Sequence, residues 1–140
     1  MQTEIARTDS ELNTNDAVRS AVSALQTGDV VALPTETVYG LGADALNPNA
    51  IEKIFSAKER PHFDPLIIHV PHKTALYEVA EISADIAKTV TQLVETFWPG
   101  ALTLVLPKKP IIPDIVTGGL PTVAVRQANH PIFHRIAKNF

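Results

Sequence analysis

Apolar residues recur at helical spacing at Ala17, Val18, Ala21, Val22 and Leu25, which predicts a helix over 16–26 with Asn15 as N-cap and Gly28 just past its last turn. Residues 30–33 form an apolar run too short for a helix and closed by Pro34; this reads as a buried strand. Asn47 followed by Pro48 signals a second helix, with Ile51, Ile54 and Phe55 on one face and its end near Lys58. Residues 58–65 then read as a loop. The same reasoning predicts a strand at 66–70, a short helical stretch at 74–79, and a longer helix at 84–97 that Ser83 caps and Trp98-Pro99-Gly100 stops. Strands follow at 102–106 and 122–126. Between them, 107–121 holds four prolines and two glycines and reads as a connection. A last helix over 131–138 groups Ile132, Phe133 and Ile136 on one face.

Strands separated by helices predict an α/β layer architecture, in which ligands commonly sit where loops leave the strand ends. The 140 residues fit one domain, 1–140, without internal repeat or linker. With 45% hydrophobic and 19% charged residues the chain has a globular composition. Its net charge of -3 gives no long-range attraction to nucleic acid or anionic lipid. No cysteine is present, which excludes disulfides and thiolate metal sites. The start of the chain is polar and acidic, unlike a secretory or transit leader, and no apolar run approaches a membrane span. A cytoplasmic protein is expected.

Chemistry concentrates in the loops after strands. Residues 34–42 pack Thr35, Glu36, Thr37 and Tyr39 between Pro34 and the Gly40-Leu41-Gly42 triplet; they form either a ligand loop or a turn whose threonines bond local amides. The third glycine of a dinucleotide fingerprint would fall at Ala45, so that assignment is discarded. Lys58-Glu59-Arg60-Pro61 sets two cations at a loop mouth, suited to a polyphosphate or to the negative end of a helix dipole. There is no P-loop sequence. The five histidines lack zinc-hydrolase spacing. His69 alternates with Leu66, Ile68 and Val70 onto the opposite face, and Thr103 likewise opposes Leu102, Leu104 and Leu106; each is either structural or ligand-facing. Arg126 ends the apolar run Val123-Ala124-Val125, where a fixed guanidinium calls for an anionic partner.

Four ordered motifs together resemble the YrdC-like threonylcarbamoyl-adenylate synthases. They are the loop 33–42, Lys58-Glu59-Arg60-Pro61 with the strand through 70, the segment 97–104 around Trp98-Pro99-Gly100, and 122–126 before Asn129-His130-Pro131. The resemblance implies a twisted mixed sheet with flanking helices and a concave ligand cavity. It also implies an ATP-dependent synthesis of L-threonylcarbamoyl-adenylate from L-threonine, bicarbonate and ATP, with release of pyrophosphate. By this resemblance Lys58 and Arg60 act on the nucleotide phosphates as catalytic residues, Thr35, His69 and Arg126 bind threonine, and Thr103 and Thr117 line the ATP pocket. Magnesium accompanies ATP, with no transition metal. The product passes to a threonylcarbamoyl transferase complex that modifies tRNA, and tRNA itself is a possible partner. Ala128 stands where the family often has proline, and the family's Ser-x-Asn motif does not occur before Phe140. These departures predict a C-terminally truncated domain whose last helix leaves Ile132, Phe133 and Ile136 without a partner surface, hence lower stability and no activity. The other readings are a carbamoyl-adenylate-forming domain of hydrogenase maturation, which usually comes with zinc-binding cysteines, an RNA-binding module, and an inactive fragment.

Overall fold

The computed structural model describes residues 3–140. Helix α1 spans Glu11–Gln26. Its N-cap is Ser10, whose extended backbone lets Oγ accept from the Asn13 amide at 3.2 Å. The expected cap, Asn15, instead lies inside the helix, where its Oδ1 accepts a hydrogen bond from the Arg135 guanidinium. Residues 11–15 carry no apolar period, so the pattern could not register that first turn.

Strand β1, Val31–Leu33, forms a hairpin with β2, Gly40–Gly42, pairing Val31 with Gly42 and Leu33 with Gly40. The second strand was not expected, because Gly-Leu-Gly shows no alternation and glycine weakens strands. Helix α2, Pro48–Lys58, begins as predicted: Asn47 Oδ1 accepts from the Asn49 and Ala50 amides. It ends with Glu59 in the left-handed region (φ 50°) and the Arg60 amide donating to Phe55 O at 3.0 Å, a C-cap that glycine usually supplies.

Strand β3 is Ile67–His69. A 3-10 turn at Lys73–Ala75, capped by His72 Nδ1, leads into α3, Leu76–Val79. Helix α4, Ala84–Phe97, has Ser83 at the N-cap position, although its side chain makes no capping hydrogen bond to the backbone. Strand β4 is Leu104–Pro107. The proline-rich connection contains one more helical turn, α5, Asp114–Thr117, which ends in Gly118. Strand β5, Thr122–Arg126, and helix α6, Pro131–Asn139, complete the order. Among the described residues no helix is long and apolar enough to cross a membrane.

Instead of one sheet, the strands form the β1–β2 hairpin and a separate mixed sheet ordered β3-β5-β4, with β3 parallel and β4 antiparallel to β5. Period-two alternation gives the mixed sheet two unlike faces. Ile68, Leu104, Leu106, Val123 and Val125 point into a core with Ile51, Ile54, Phe55, Leu76, Val94 and Trp98. Ile67, Val105, His69 and Arg126 lie on the other face, where Ile67 and Val105 remain exposed. That open face carries the polar groups of interest.

A second cluster joins α1, β1 and α6 through Val18, Ala21, Leu25, Leu33 and Ile136, with Ile132 and Phe133 packed against it. The expectation that these three residues of α6 lack a partner surface is therefore corrected: α1 supplies it. The apolar stripe of each amphipathic helix buries the other's, a pairing that period alone cannot assign. Ile136→Ala should lower stability by about 2–4 kcal/mol, read by denaturant unfolding. A cost under about 0.5 kcal/mol would mean that the α1–α6 contact contributes little.

Gly118 fixes the loop beside the Lys58-Arg60 segment. Its φ is +60°, and a Cβ there would lie 2.7 Å from the Phe63 carbonyl oxygen. Gly118→Ala should cost about 2 kcal/mol or more from the left-handed backbone and the clash together. A melting temperature unchanged from the wild type would contradict that geometry.

Candidate functional site

The end of β5 directs Arg126 into a polar cluster. Nε donates to Gly100 O at 3.1 Å, and Nη2 donates to Glu36 Oε1 at 2.7 Å and more weakly to Thr37 Oγ1 at 3.4 Å. The Arg126 and Glu36 side chains are only 11% and 21% exposed, so solvent screens this pair much less than a surface one. Gly100 is held for its part by donating its amide to Gln127 O at 2.8 Å. The Trp98-Pro99-Gly100 turn is anchored by Trp98, 3% exposed, whose indole donates to Leu102 O at 2.7 Å. Glu36 completes the network by accepting from the Asn129 amide at 3.1 Å through Oε2. Burial pushes the Glu36 carboxyl up, but hydrogen bonds from Arg126 and from backbone amides outweigh it and hold the group below its ordinary value.

Thr35 sits in the same loop. Its Oγ1 donates to Val38 O at 2.6 Å and accepts from the Thr37 and Val38 amides at 3.2 Å. Those bonds form a side-chain turn that shapes the loop, while Val38 and Tyr39 at its tip are exposed. Of the two readings of this segment, the local-turn geometry is present, and the loop it shapes delivers Glu36 to Arg126.

His69 pairs in register with Arg126 across β3 and β5. Its ring lies 4.9 Å from that of Phe133, and its Nδ1 is buried without a hydrogen-bond partner among the described residues. Burial, reinforced by the Arg126 charge and opposed by Glu36, lowers its pKa from 6.5 to about 4. His69 is thus neutral at pH 7. Between pH 6.5 and about 4 the unfolded chain binds this proton and the folded chain does not, so stability falls as pH falls through that window. The loss amounts to about 3 kcal/mol at most by linkage. In His69→Gln the stability difference between pH 7 and about pH 4 should shrink accordingly. An unchanged pH profile would contradict a neutral, buried His69.

Lys58 and Arg60 flank the left-handed Glu59 at the end of α2. Lys58 is exposed and makes no salt bridge among the described residues. Arg60 is more committed: Nη2 donates to Pro65 O at 2.9 Å, and Nε lies 2.9 Å from Asp64 Oδ2 as an ion pair not aligned along a hydrogen bond. Thr103 is half-buried and precedes β4 rather than lying in it. Continuing the β4–β5 register by one residue sets it alongside Arg126. Thr117 is only 1% exposed and donates to Asp114 O within α5, so it does not face an open pocket as expected. A groove also lies between α1 and α6, away from both groups, lined by Val18, Arg19, Val22 and Arg135 among others.

The sequence candidates thus separate into two groups. Thr35, His69, Arg126 and Thr103 gather at the C-terminal end of β3 and β5, whereas Arg60 reaches the N-terminal approach to β3. Sequence reasoning missed Glu36, the Gly100 carbonyl and the Asn129 amide as partners of the cluster. A carboxylate between two threonines after a buried strand was the only available signal for Glu36; the two backbone groups left none.

The Sua5/YciO/YrdC family model, whose description reads telomere recombination, matches residues 23–140. The chain is 51% identical over 116 residues to the threonylcarbamoyl-AMP synthase of Pyrococcus abyssi, covering 82% of this chain and 33% of that protein. It is 48% identical over 124 residues to the enzyme of the same name from Bacillus subtilis, covering 87% and 35%. The chain therefore spans about a third of the length of these relatives. Among solved structures, P. abyssi Sua5 complexed with L-threonine superposes with a TM-score of 0.83 at 44% identity, covering 95% of this chain and 37% of that one. The matched segment includes both groups of site residues and every strand of the mixed sheet, and on that basis the chain belongs to the Sua5/YciO/YrdC family.

Proposed function

We propose that this chain carries the amino-acid and phosphate sites of a threonylcarbamoyl-AMP synthase. The observation that carries the reading is the fixed Arg126 guanidinium beside neutral His69 on the open sheet face. Arg126 Nε and Nη2 are engaged within the protein, while Nη1 makes no hydrogen bond among the described residues. A guanidinium held along one edge offers the other to a carboxylate. The threonine complex of the P. abyssi relative supports an amino acid as that ligand.

In this reading Arg126 and His69 receive L-threonine, with the buried His69 Nδ1 gaining a polar partner, and Thr35 joins by exchanging its bond to Val38 O for the ligand. Lys58 and Arg60 face the triphosphate of ATP, and Thr103, alongside Arg126, stands at the amino-acid end. From Pro65, which Arg60 holds, to His69 the chain advances four residues, or about 13 Å at strand rise. That separation suits a ligand pair with an amino acid at one end and a polyphosphate at the other. Thr117 would act through packing of α5 rather than by contact.

The threonine amine attacks carbon from bicarbonate, releasing water and forming a carbamate. The carbamate oxygen attacks the α-phosphorus of ATP, and pyrophosphate leaves. Such chemistry needs positioning and charge stabilisation rather than a covalent nucleophile. Magnesium would enter as the counterion of the triphosphate. The product would serve a transferase that modifies tRNA in the cytoplasm.

The natural protein containing this chain should release pyrophosphate from ATP only with both L-threonine and bicarbonate present. Equal release without threonine would contradict the proposal.

A further inference from the structure

The Glu36 carboxylate occupies a position that neither the phosphate nor the amino-acid role explains. It lies in the β1–β2 loop, yet both of its oxygens bind distant groups. Oε1 takes the Arg126 Nη2 donor at 2.7 Å and Oε2 takes the Asn129 amide, just ahead of α6, at 3.1 Å. Taking a carboxylate to 21% side-chain exposure is itself unfavourable, so the hydrogen bonds from Arg126 and Asn129 serve first to offset that cost. The carboxylate also has a geometric effect. Together with Gly100 O it engages the Nε–Nη2 edge of the guanidinium, so the direction in which Nη1 points is set from two sides. Thr37, in the same loop as Glu36, adds a third contact to that edge at 3.4 Å.

Resting on the amino-acid role of Arg126 given above, we infer that Glu36 is a positioning residue for threonine recognition: it holds the Arg126 guanidinium with its Nη1 edge toward the ligand and locks the Thr35 loop to the start of α6. Its charge has a second effect. The Glu36–Arg126 pair is electrically neutral before ligand arrives, so an incoming carboxylate is bound by directed donors rather than by unbalanced positive charge. Acceptor geometry at this position therefore matters more than the negative charge. Glutamine keeps one acceptor, so it can hold the Arg126 guanidinium but turns its amide group toward the Asn129 N–H and loses that second bond, whereas alanine frees the guanidinium to turn.

The test is calorimetric titration of the natural protein with L-threonine, and separately with ATP, for the wild type, Glu36→Ala and Glu36→Gln. Glu36→Ala should weaken threonine binding about tenfold or more while ATP binding stays within about twofold, and Glu36→Gln, which keeps the acceptor for Arg126 but not the one for Asn129, should recover part of that loss. Melting temperatures are read alongside. Parallel weakening of both ligands that tracks a fall in melting temperature would assign Glu36 a purely structural role and overturn the inference. So would normal threonine binding in Glu36→Ala, or an equal loss in the glutamine variant. If the wild type itself fails to bind threonine, the proposed function fails first; if it binds and Glu36→Ala binds equally, only this inference fails.

Discussion

Arg126→Ala is expected to abolish measurable threonine binding and to destabilise the fold by about 1–3 kcal/mol, the range for leaving partly buried hydrogen-bonding groups without their partner. The stability cost follows from what remains behind. Glu36, 21% exposed, would lose its charged partner while still tied to the Asn129 amide, and Gly100 O would lose the Nε donor. The binding cost follows from the loss of the cation paired with His69 across the β3–β5 register. Removing both partners should be milder than removing Arg126 alone, because Glu36→Gln/Arg126→Met leaves no unpaired charge. Denaturant unfolding of the single and double variants measures the difference. A double variant less stable than Arg126→Ala would show that the pair itself, rather than its desolvated remnant, governs stability.

The second large effect is on turnover. Lys58→Ala and Arg60→Ala in the natural protein should each reduce threonine-dependent pyrophosphate release by about a hundredfold or more, the scale of losing a donor to developing charge. Their stability effects should differ. Lys58 is exposed, so its removal should change stability by less than about 0.5 kcal/mol. Arg60 secures the loop through Asp64 and the Pro65 carbonyl, so its loss should cost about 1 kcal/mol. Normal turnover in both variants would remove the phosphate role.

The sequence was most informative where a single residue determines local geometry. Asn47-Pro48 gave the start of α2 because the asparagine side chain satisfies free amides and proline tolerates the first helical position. The strand ending at Arg126 was legible because an apolar run stops abruptly at a charge. What stayed hidden depends on contacts distant in sequence. Glu36 meets Arg126 across 90 positions, and Arg135 meets Asn15 across 120; no local pattern encodes either pairing. The α1–α6 contact is of the same kind, since two amphipathic stripes do not name each other. The strand β2 was missed for a different reason, because its residues suit a turn and pair only where β1 offers an edge. Thr117 is the converse case: only the family resemblance pointed to it, and the buried turn of α5 encloses the side chain.

The central claim is that the strand end carrying His69 and Arg126 receives L-threonine. Nuclear magnetic resonance of the natural protein, following the His69 ring and the Arg126 Nε–H during titration with L-threonine, tests it most directly. The account predicts that both signals shift together along one saturable curve, with His69 remaining neutral at pH 7, and that Arg126→Ala eliminates the His69 response. Saturable threonine binding that leaves both signals unmoved would contradict it and place the amino acid elsewhere on the molecule.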